Sequence, residues 1–223
     1  ILYNQGDGTF VNNASIDASR SYLAPTDLDG DGDVDLALAR TSDAVGYALS
    51  DGVISFSFVE IDGSISYPSS IGTGDLDSDG DIDIIATSVI EGAIYWYEND
   101  GALAFTKHTL SASAGSPYQA ETLDYNGDGE LDVLITNRTT SANSIDVYEN
   151  DGSENFSKNT LTTYASGLRF TEYIDMDSDG DLDFIPNVLD NWLNQKIGQT
   201  ITFNDIPEKT YGDPTFDLSV SVD

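Results

Sequence analysis

Apolar positions along the chain come in short runs rather than helical stripes. VDLALA (34–39), IDIIAT (82–87), LDVLIT (131–136) and LDFIP (182–186) alternate only weakly and are apolar on both faces. That pattern predicts strands covered on both sides. A second run follows each of them, at 47–49, 94–97, 145–148 and 192–193, aromatic or β-branched as strands prefer. Asp-Gly turns come next, the strongest of them Asn-Asp-Gly at 99–101 and 150–152, and these signal hairpins. A further strand is expected to begin near Phe56, Phe105 and Phe156. Polar links rich in Ser, Gly and Pro, at 61–69, 110–117 and 161–167, then lead to the first strand of the next unit. No amphipathic helix is predicted.

One period organises these runs. DLDGDGDVD (27–35), DLDSDGDID (75–83), DYNGDGELD (124–132) and DMDSDGDLD (175–183) start 48, 49 and 51 residues apart. A second element recurs out of phase: NQGDGTF (4–10), LSDGVISF (49–56), ENDGALAF (98–105) and ENDGSENF (149–156). Four strands on a period of about 50 residues match a propeller blade. A single blade cannot bury both faces, so neighbours must stack. The expected fold is all-β, about four and a half four-stranded blades over residues 1–196, with a ring of seven as the first expectation and an open β-solenoid as the alternative.

The acidic loops carry the candidate chemistry. In the first, Asp27, Asp29 and Asp31 alternate, Gly32 permits a sharp bend, Asp33 follows and Asp35 closes the loop. Calcium is a hard cation that takes about 6–8 oxygen ligands. Side chains at positions 1, 3 and 5 of a tight turn converge, position 7 offers its carbonyl, and position 9 completes the shell and returns the chain into a strand. The same pattern runs through Asp75, Asp77, Asp79, Asp81 and Asp83; through Asp124, Asn126, Asp128, Glu130 and Asp132; and through Asp175, Asp177, Asp179, Asp181 and Asp183. Acidic Gly-rich turns are also simply soluble turns; four in register, each with Gly at position 6, point to about four calcium ions. Asn126 makes the third site one charge poorer. Mg²⁺ suits the pattern less, since it prefers rigid octahedral geometry and retained water.

Charge sharpens this reading. The 223 residues carry 8 Lys and Arg against 40 Asp and Glu, a formal charge of −32, with no Cys and one His. Such a balance argues against nucleic acid and anionic membranes as partners. Four bound Ca²⁺ would cancel a quarter of it. Thiolate and imidazole metals lack ligands. No apolar run approaches the roughly 18–20 residues of a membrane span. The chain opens mid-pattern and reads as an excerpt of a longer protein.

The turn element and the DxDxDGxxD loops together resemble the FG-GAP/VCBS repeats of integrin-like β-propellers, over roughly residues 1–195. The resemblance implies calcium in the hairpin between the first two strands of each blade, secretion or cell-surface placement, and adhesion or ligand recognition. Residues 197–223, with KTYGDPTF at 209–216, resemble the opening of a bacterial Ig-like repeat of the MBG type.

Catalytic signatures are missing. His108 has no evident nucleophile partner, and no GxSxG, HExxH or phosphate-binding Gly loop occurs. The chain is therefore read as a non-enzyme that binds a protein or glycan ligand. The alternative is an accessory or catalytic propeller of a secreted polysaccharide-degrading enzyme. Strand topology puts the acidic hairpins and the Asp-Gly turns on one rim. The other rim, with Arg40, Tyr67, Tyr118, Arg138, Tyr164 and Arg169, is the candidate ligand face. Tyrosines beside such links also serve simply to pin them to the sheet.

Overall fold

The computed structural model describes residues 2–4, 7, 9–12, 21–50, 56–138, 143–164, 168, 170–177 and 182–186. Among these residues all regular structure is strand. β1 (Leu2–Asn4) and β2 (Phe10–Asn12) form a hairpin. Three four-stranded antiparallel sheets follow, each in simple sequential order. The first holds β3 (Ser21–Thr26), β4 (Asp35–Arg40), β5 (Ala44–Ala48) and β6 (Val59–Asp62). The second holds β7 (Pro68–Gly74), β8 (Asp83–Ser88), β9 (Ala93–Asn99) and β10 (Phe105–Ser111). The third holds β11 (Pro117–Leu123), β12 (Asp132–Asn137), β13 (Asn143–Asn150) and β14 (Phe156–Tyr164). Residues through Thr171 form one compact unit; a second, Glu172–Asp223, contains most of the hairpin of β15 (Thr171–Ile174) and β16 (Asp183–Pro186).

The three sheets are arranged as propeller blades. First strands lie side by side: β7 packs beside β3 on one flank and β11 on the other. Convergence there demands small side chains and short polar bridges. A Cβ on Gly72 would sit 3.1 Å from the carbonyl oxygen of Ala120. Ser69 Oγ donates to the Pro117 carbonyl at 2.7 Å, and Thr122 Oγ1 donates to the Thr73 carbonyl at 2.7 Å.

The weak alternation of the second strands now has its cause. β8 is buried along its whole length. Ile84 and Ala86 join one core with Leu28, Val45, Tyr47 and Ile71, between the first and second sheets. Ile85, between them in sequence, joins the other core with Leu76, Trp96, Val133 and Tyr148, between the second and third sheets. Successive side chains of a strand point to opposite faces, and here both faces meet a neighbouring sheet.

Two boundaries differ from expectation. The fourth strand of the first sheet starts at Val59 rather than near Phe56, whereas Phe105 and Phe156 do open theirs. The links are shorter than their composition suggests, because β6, β10 and β14 run on into them. Polar side chains suit these outer strands, which face water on one side. The strand expected at 192–193 and the Ig-like segment lie outside the described residues.

Outside the apolar cores, an ionic anchor ties the first sheet to the second. Lys107 Nζ on β10 lies 2.6 Å from Asp62 Oδ2 at the end of β6, and 3.9 Å from the centre of the Tyr95 ring. The Tyr97 hydroxyl donates to the same carboxylate oxygen at 2.8 Å. Burial works to raise the pKa of Asp62, but Lys107, Ser64 and Tyr97 outweigh it and hold the carboxyl well below the usual carboxylate range.

Two outcomes follow for stability. Ile84→Ala and Ile85→Ala should each cost about 2–5 kcal/mol in urea unfolding, because each empties a different core; a one-sided sheet would spare one of them. Asp62 contributes stability that is present above its unfolded value, roughly pH 3.9, and lost as pH falls toward its lower folded value. Melting temperatures recorded from pH 6 down to pH 2 should therefore fall less steeply for Asp62→Asn than for the parent.

Candidate functional site

Each acidic hairpin joins the first and second strands of its sheet and is built from hydrogen bonds that its own side chains accept. The residue at position 6 bends the loop: Gly32, Gly80 and Gly129 take φ of +94°, +99° and +96°, a region that disfavours any side chain. Their N–H groups donate to the first aspartate, at 3.0 Å to Asp27, 3.0 Å to Asp75 and 3.1 Å to Asp124. Position 5 accepts from position 7: Asp33 N–H to Asp31 at 2.8 Å, Asp81 N–H to Asp79 at 2.9 Å, Glu130 N–H to Asp128 at 2.9 Å. Each loop is thus a run of Asx turns, which is why Asp, Asn and Gly are the residues found there.

Position 9 is different in kind. Asp35, Asp83 and Asp132 are fully buried. One carboxylate oxygen accepts the N–H of position 2, from Leu28 at 3.0 Å, Leu76 at 2.9 Å and Tyr125 at 2.9 Å. The other accepts from the end of the third strand or the residues just after it: Ser50 at 2.6 Å, Asn99 at 2.9 Å and Asn150 at 2.8 Å. In the second unit Met176 N–H donates to Asp183 in the same way, at 2.9 Å.

These hairpins bring carboxylates together. One oxygen each from Asp27, Asp29 and Asp35 lie within 4.8 Å of one another, as do those of Asp75, Asp77 and Asp83, and those of Asp175, Asp177 and Asp183. In the third loop Asn126 occupies the middle of that trio, so the acidic set is Asp124 and Asp132 alone, with Asn126 Oδ1 accepting Asp128 N–H at 2.9 Å. Asp179 and Asp181 lie outside the described residues.

The crowding has an electrostatic cost. Burial pushes the Asp83 carboxyl up to about 7, against donation from Asn99 and Leu76 and with repulsion from Asp77. Loss of solvation first, and then repulsion from Asp79 and Asp75, raises Asp77; Asp29 is raised likewise, with Asp31, Asp35 and Asp27 as its neighbours. Burial raises Asp132 too. Asp27 Oδ1 is buried and accepts no hydrogen bond from the protein. A hard divalent cation fits this donor set: it would supply the missing partner of Asp27 Oδ1 and relieve the repulsion among carboxylates.

The Asp-Gly turns stand on the same rim. A Cβ on Gly101 would lie 2.3 Å from Asp81 Oδ2, and one on Gly152 would lie 3.1 Å from the Glu130 side chain. Between β9 and β10 the turn spans residues 100–104, closed by Ala102 and Ala104 N–H groups that donate to Asp100 at 2.9 and 3.1 Å.

The opposite rim gathers aromatic side chains at the starts of the first strands. Tyr67 is 43% exposed and adopts φ +48°, a strained conformation for a bulky residue, with its N–H donated to Asp43 at 2.7 Å. Tyr118 is half-buried, 3.4 Å by its hydroxyl from Arg138 Nη1, whose guanidinium lies 5.3 Å from the ring centre. Arg40 stacks on Phe58 at 3.6 Å. Tyr164 is buried at the end of β14 and presents no ring on this rim; Arg169 lies outside the described residues. Two aromatics that sequence reasoning passed over belong here. Tyr22, 40% exposed, has its hydroxyl pushed up by burial and then by Tyr118 and Tyr67 nearby. Phe170, 48% exposed, immediately precedes β15. The signal was available: an aromatic lies within two residues of the start of the first strand in each repeat, at Tyr22, Tyr67, Tyr118 and Phe170.

His108 plays a packing part. Its ring stacks on Trp96 at 4.6 Å, and Nε2 lies 2.6 Å from Glu98 Oε2.

Four-stranded antiparallel sheets with an acidic hairpin after each first strand define a repeat-built β-propeller. The chain belongs to the FG-GAP-like repeat family, which residues 27–86, 75–135 and 124–185 match as three consecutive overlapping copies. No curated protein matches it by sequence. Among solved structures it is similar to an Agrocybe aegerita lectin that recognises non-reducing terminal N-acetylglucosamine, with 17% identity and a TM-score of 0.54 over 75% of this chain and 47% of the lectin. It is also similar to the Tc holotoxin pore of Photorhabdus luminescens, with 20% identity and a TM-score of 0.49 over 85% of this chain and 10% of that one. The chain therefore spans about half the length of the lectin and a tenth of the toxin chain.

Proposed function

We propose that this chain is a calcium-stabilised recognition propeller of a secreted or cell-surface protein, binding a protein or glycan ligand and catalysing no reaction. One observation carries the calcium reading: the first, third and ninth side chains of an acidic hairpin converge within 4.8 Å in three loops, and in the first of them Asp27 Oδ1 is buried without a protein donor. Asp27, Asp29 and Asp35, with Asp31 and the Asp33 carbonyl, would hold the first ion. Asp75, Asp77, Asp79, Asp81 and Asp83 would hold the second. Asp124, Asn126, Asp128, Glu130 and Asp132 would form the third, weaker site. Asp175, Asp177, Asp179, Asp181 and Asp183 would hold a fourth. Bound calcium supplies positive charge that lets buried carboxylates stay ionised. Loops of this kind fill readily at extracellular calcium, where affinities of about 10⁻⁴–10⁻³ M suffice.

Ligand capture belongs to the opposite rim. Tyr22 and Tyr67 offer exposed rings, and half-buried Tyr118 with Arg138 beside it stands near them, the composition of recognition hot spots on a rigid scaffold. The strained backbone of Tyr67 supports a functional reading, since such strain persists where the surroundings impose it. The recognition of terminal N-acetylglucosamine by the lectin makes glycans the first ligands to try.

Excess chelator should lower the melting temperature and open the acidic hairpins to proteolysis, because a ligand of the folded state stabilises by mass action. An unchanged melting curve would sink the structural role of calcium. Replacing Tyr22, Tyr67 and Tyr118 together by Ala should abolish capture on a glycan array while moving the melting temperature little. A large loss of stability instead would return these rings to a packing role.

A further inference from the structure

The repeated Asn-Asp-Gly element is not used by the metal reading, and its asparagine has a task of its own. Asn99 is buried at the end of β9. Its N–H donates to Asp83 at 2.9 Å, and its Oδ1 accepts the N–H groups of Gly101 and Leu103 at 3.2 and 3.1 Å. Its Nδ2 donates to the Ile82 carbonyl of its own loop at 3.1 Å and to the Leu28 carbonyl of the preceding sheet's loop at 3.4 Å. Asn150 repeats this one sheet later. Its N–H donates to Asp132 at 2.8 Å, and its Nδ2 donates to Leu131 at 3.2 Å and across to Leu76 at 2.7 Å.

Each bridge ends on the carbonyl of a residue whose own N–H serves the next carboxylate. Leu76 N–H donates to Asp83 and Leu28 N–H donates to Asp35. An unbroken line of bonded groups thus runs Asp132, Asn150, Leu76, Asp83, Asn99, Leu28, Asp35. A second link joins two of the loops directly, Ser78 Oγ donating to Glu130 Oε2 at 2.6 Å. In the first sheet Ser50 holds the place of the asparagine and keeps the N–H bond to Asp35, but it carries no amide group to bridge onward.

We propose that Asn99 and Asn150 are positioning residues that couple the three acidic loops, so that a cation in one raises the affinity of the loop before it. The inference rests on the calcium reading above. An ion that pins Asp83 also fixes the Asn99 backbone and amide. The amide then holds the Leu28 carbonyl, and the N–H of the same residue holds Asp35. The ordering of the first loop is already met when its own ion arrives, which is positive coupling without a large movement. Because Asn99 and Asn150 are buried, their amide donors have no water to turn to, and the bridge is costly to break.

Amide resonances of Gly32, Gly80 and Gly129 report the loops separately, since each N–H donates to the first aspartate of its own loop. Calcium chloride is titrated into the isotope-labelled chain. Asp77→Ala, which cripples the second loop, should move the Gly32 midpoint to roughly fivefold higher calcium or more. In an Asn99→Ala background the same change should leave the Gly32 midpoint in place. Asn99→Asp, which keeps an acceptor for the turn and removes the Nδ2 donor, replaces the alanine variant if that one loses its amide dispersion. A Gly32 midpoint indifferent to Asp77→Ala overturns the coupling and leaves calcium binding standing. An equal shift with and without the Asn99 amide overturns the role of Asn99. If calcium moves none of the three resonances, both the coupling and the metal reading fall.

Discussion

A buried carboxylate at the ninth position of each acidic hairpin is the point on which the rest of this molecule turns. Asp35, Asp83 and Asp132 have no exposed surface, and each accepts two backbone N–H bonds. One bond comes from the hairpin's own entry and the other from beyond the third strand. The carboxylate therefore knots three segments of chain. Two N–H donors only partly replace lost hydration, and the Asp83 carboxyl is pushed up to about 7. A proton or a cation must complete the neutralisation. The neighbouring carboxylates at positions 1 and 3 add negative charge, and on the calcium reading proposed above a bound cation would offset it and join folding and metal binding into one equilibrium.

Two-sided burial sets the next constraint. A strand such as β8 gives alternate residues to two different cores, so neither core exists until neighbouring sheets are stacked. The structure is cooperative across blades for apolar reasons. The Asp62–Lys107 pair and the asparagine bridges add polar ties over the same junctions. Geometry also divides labour between the rims. Hairpins that carry the acidic loops leave from one end of the first strands, and Tyr22, Tyr67, Tyr118 and Phe170 stand at the other. On the function proposed above, the acidic loops could be rigid without obstructing a recognition surface. The charge of −32 is concentrated in part on the rim of the acidic hairpins, where the proposed cations would offset it.

Much of this was legible in the chain itself. Blade period, strand order within a blade, the position-6 glycines and the alternating acidic side chains are local patterns, repeated every 50 residues or so, and repetition separates a pattern from chance. The reading faltered where local composition misleads. Polar outer strands look like links, so β6, β10 and β14 run farther than expected, and Val59 rather than Phe56 opens β6. Tyr164 resembles its exposed counterparts in sequence yet is buried, because accessibility depends on what packs over a ring and not on the ring.

Amino-acid sequence alone determined that this is a repeat-built all-β chain with acidic hairpins spaced for a hard cation, because turn chemistry and strand periodicity act over a few residues. Tertiary structure decided what those residues do to one another. It turned Asp35, Asp83 and Asp132 into buried knots, drew Tyr22 toward Tyr67 and Tyr118, and set Asn99 and Asn150 across the gap to the preceding loop. The aspartate knots close within a blade, whereas the tyrosine cluster and the asparagine bridges join residues about 45 to 100 positions apart, and only the stacking of whole blades brings those together.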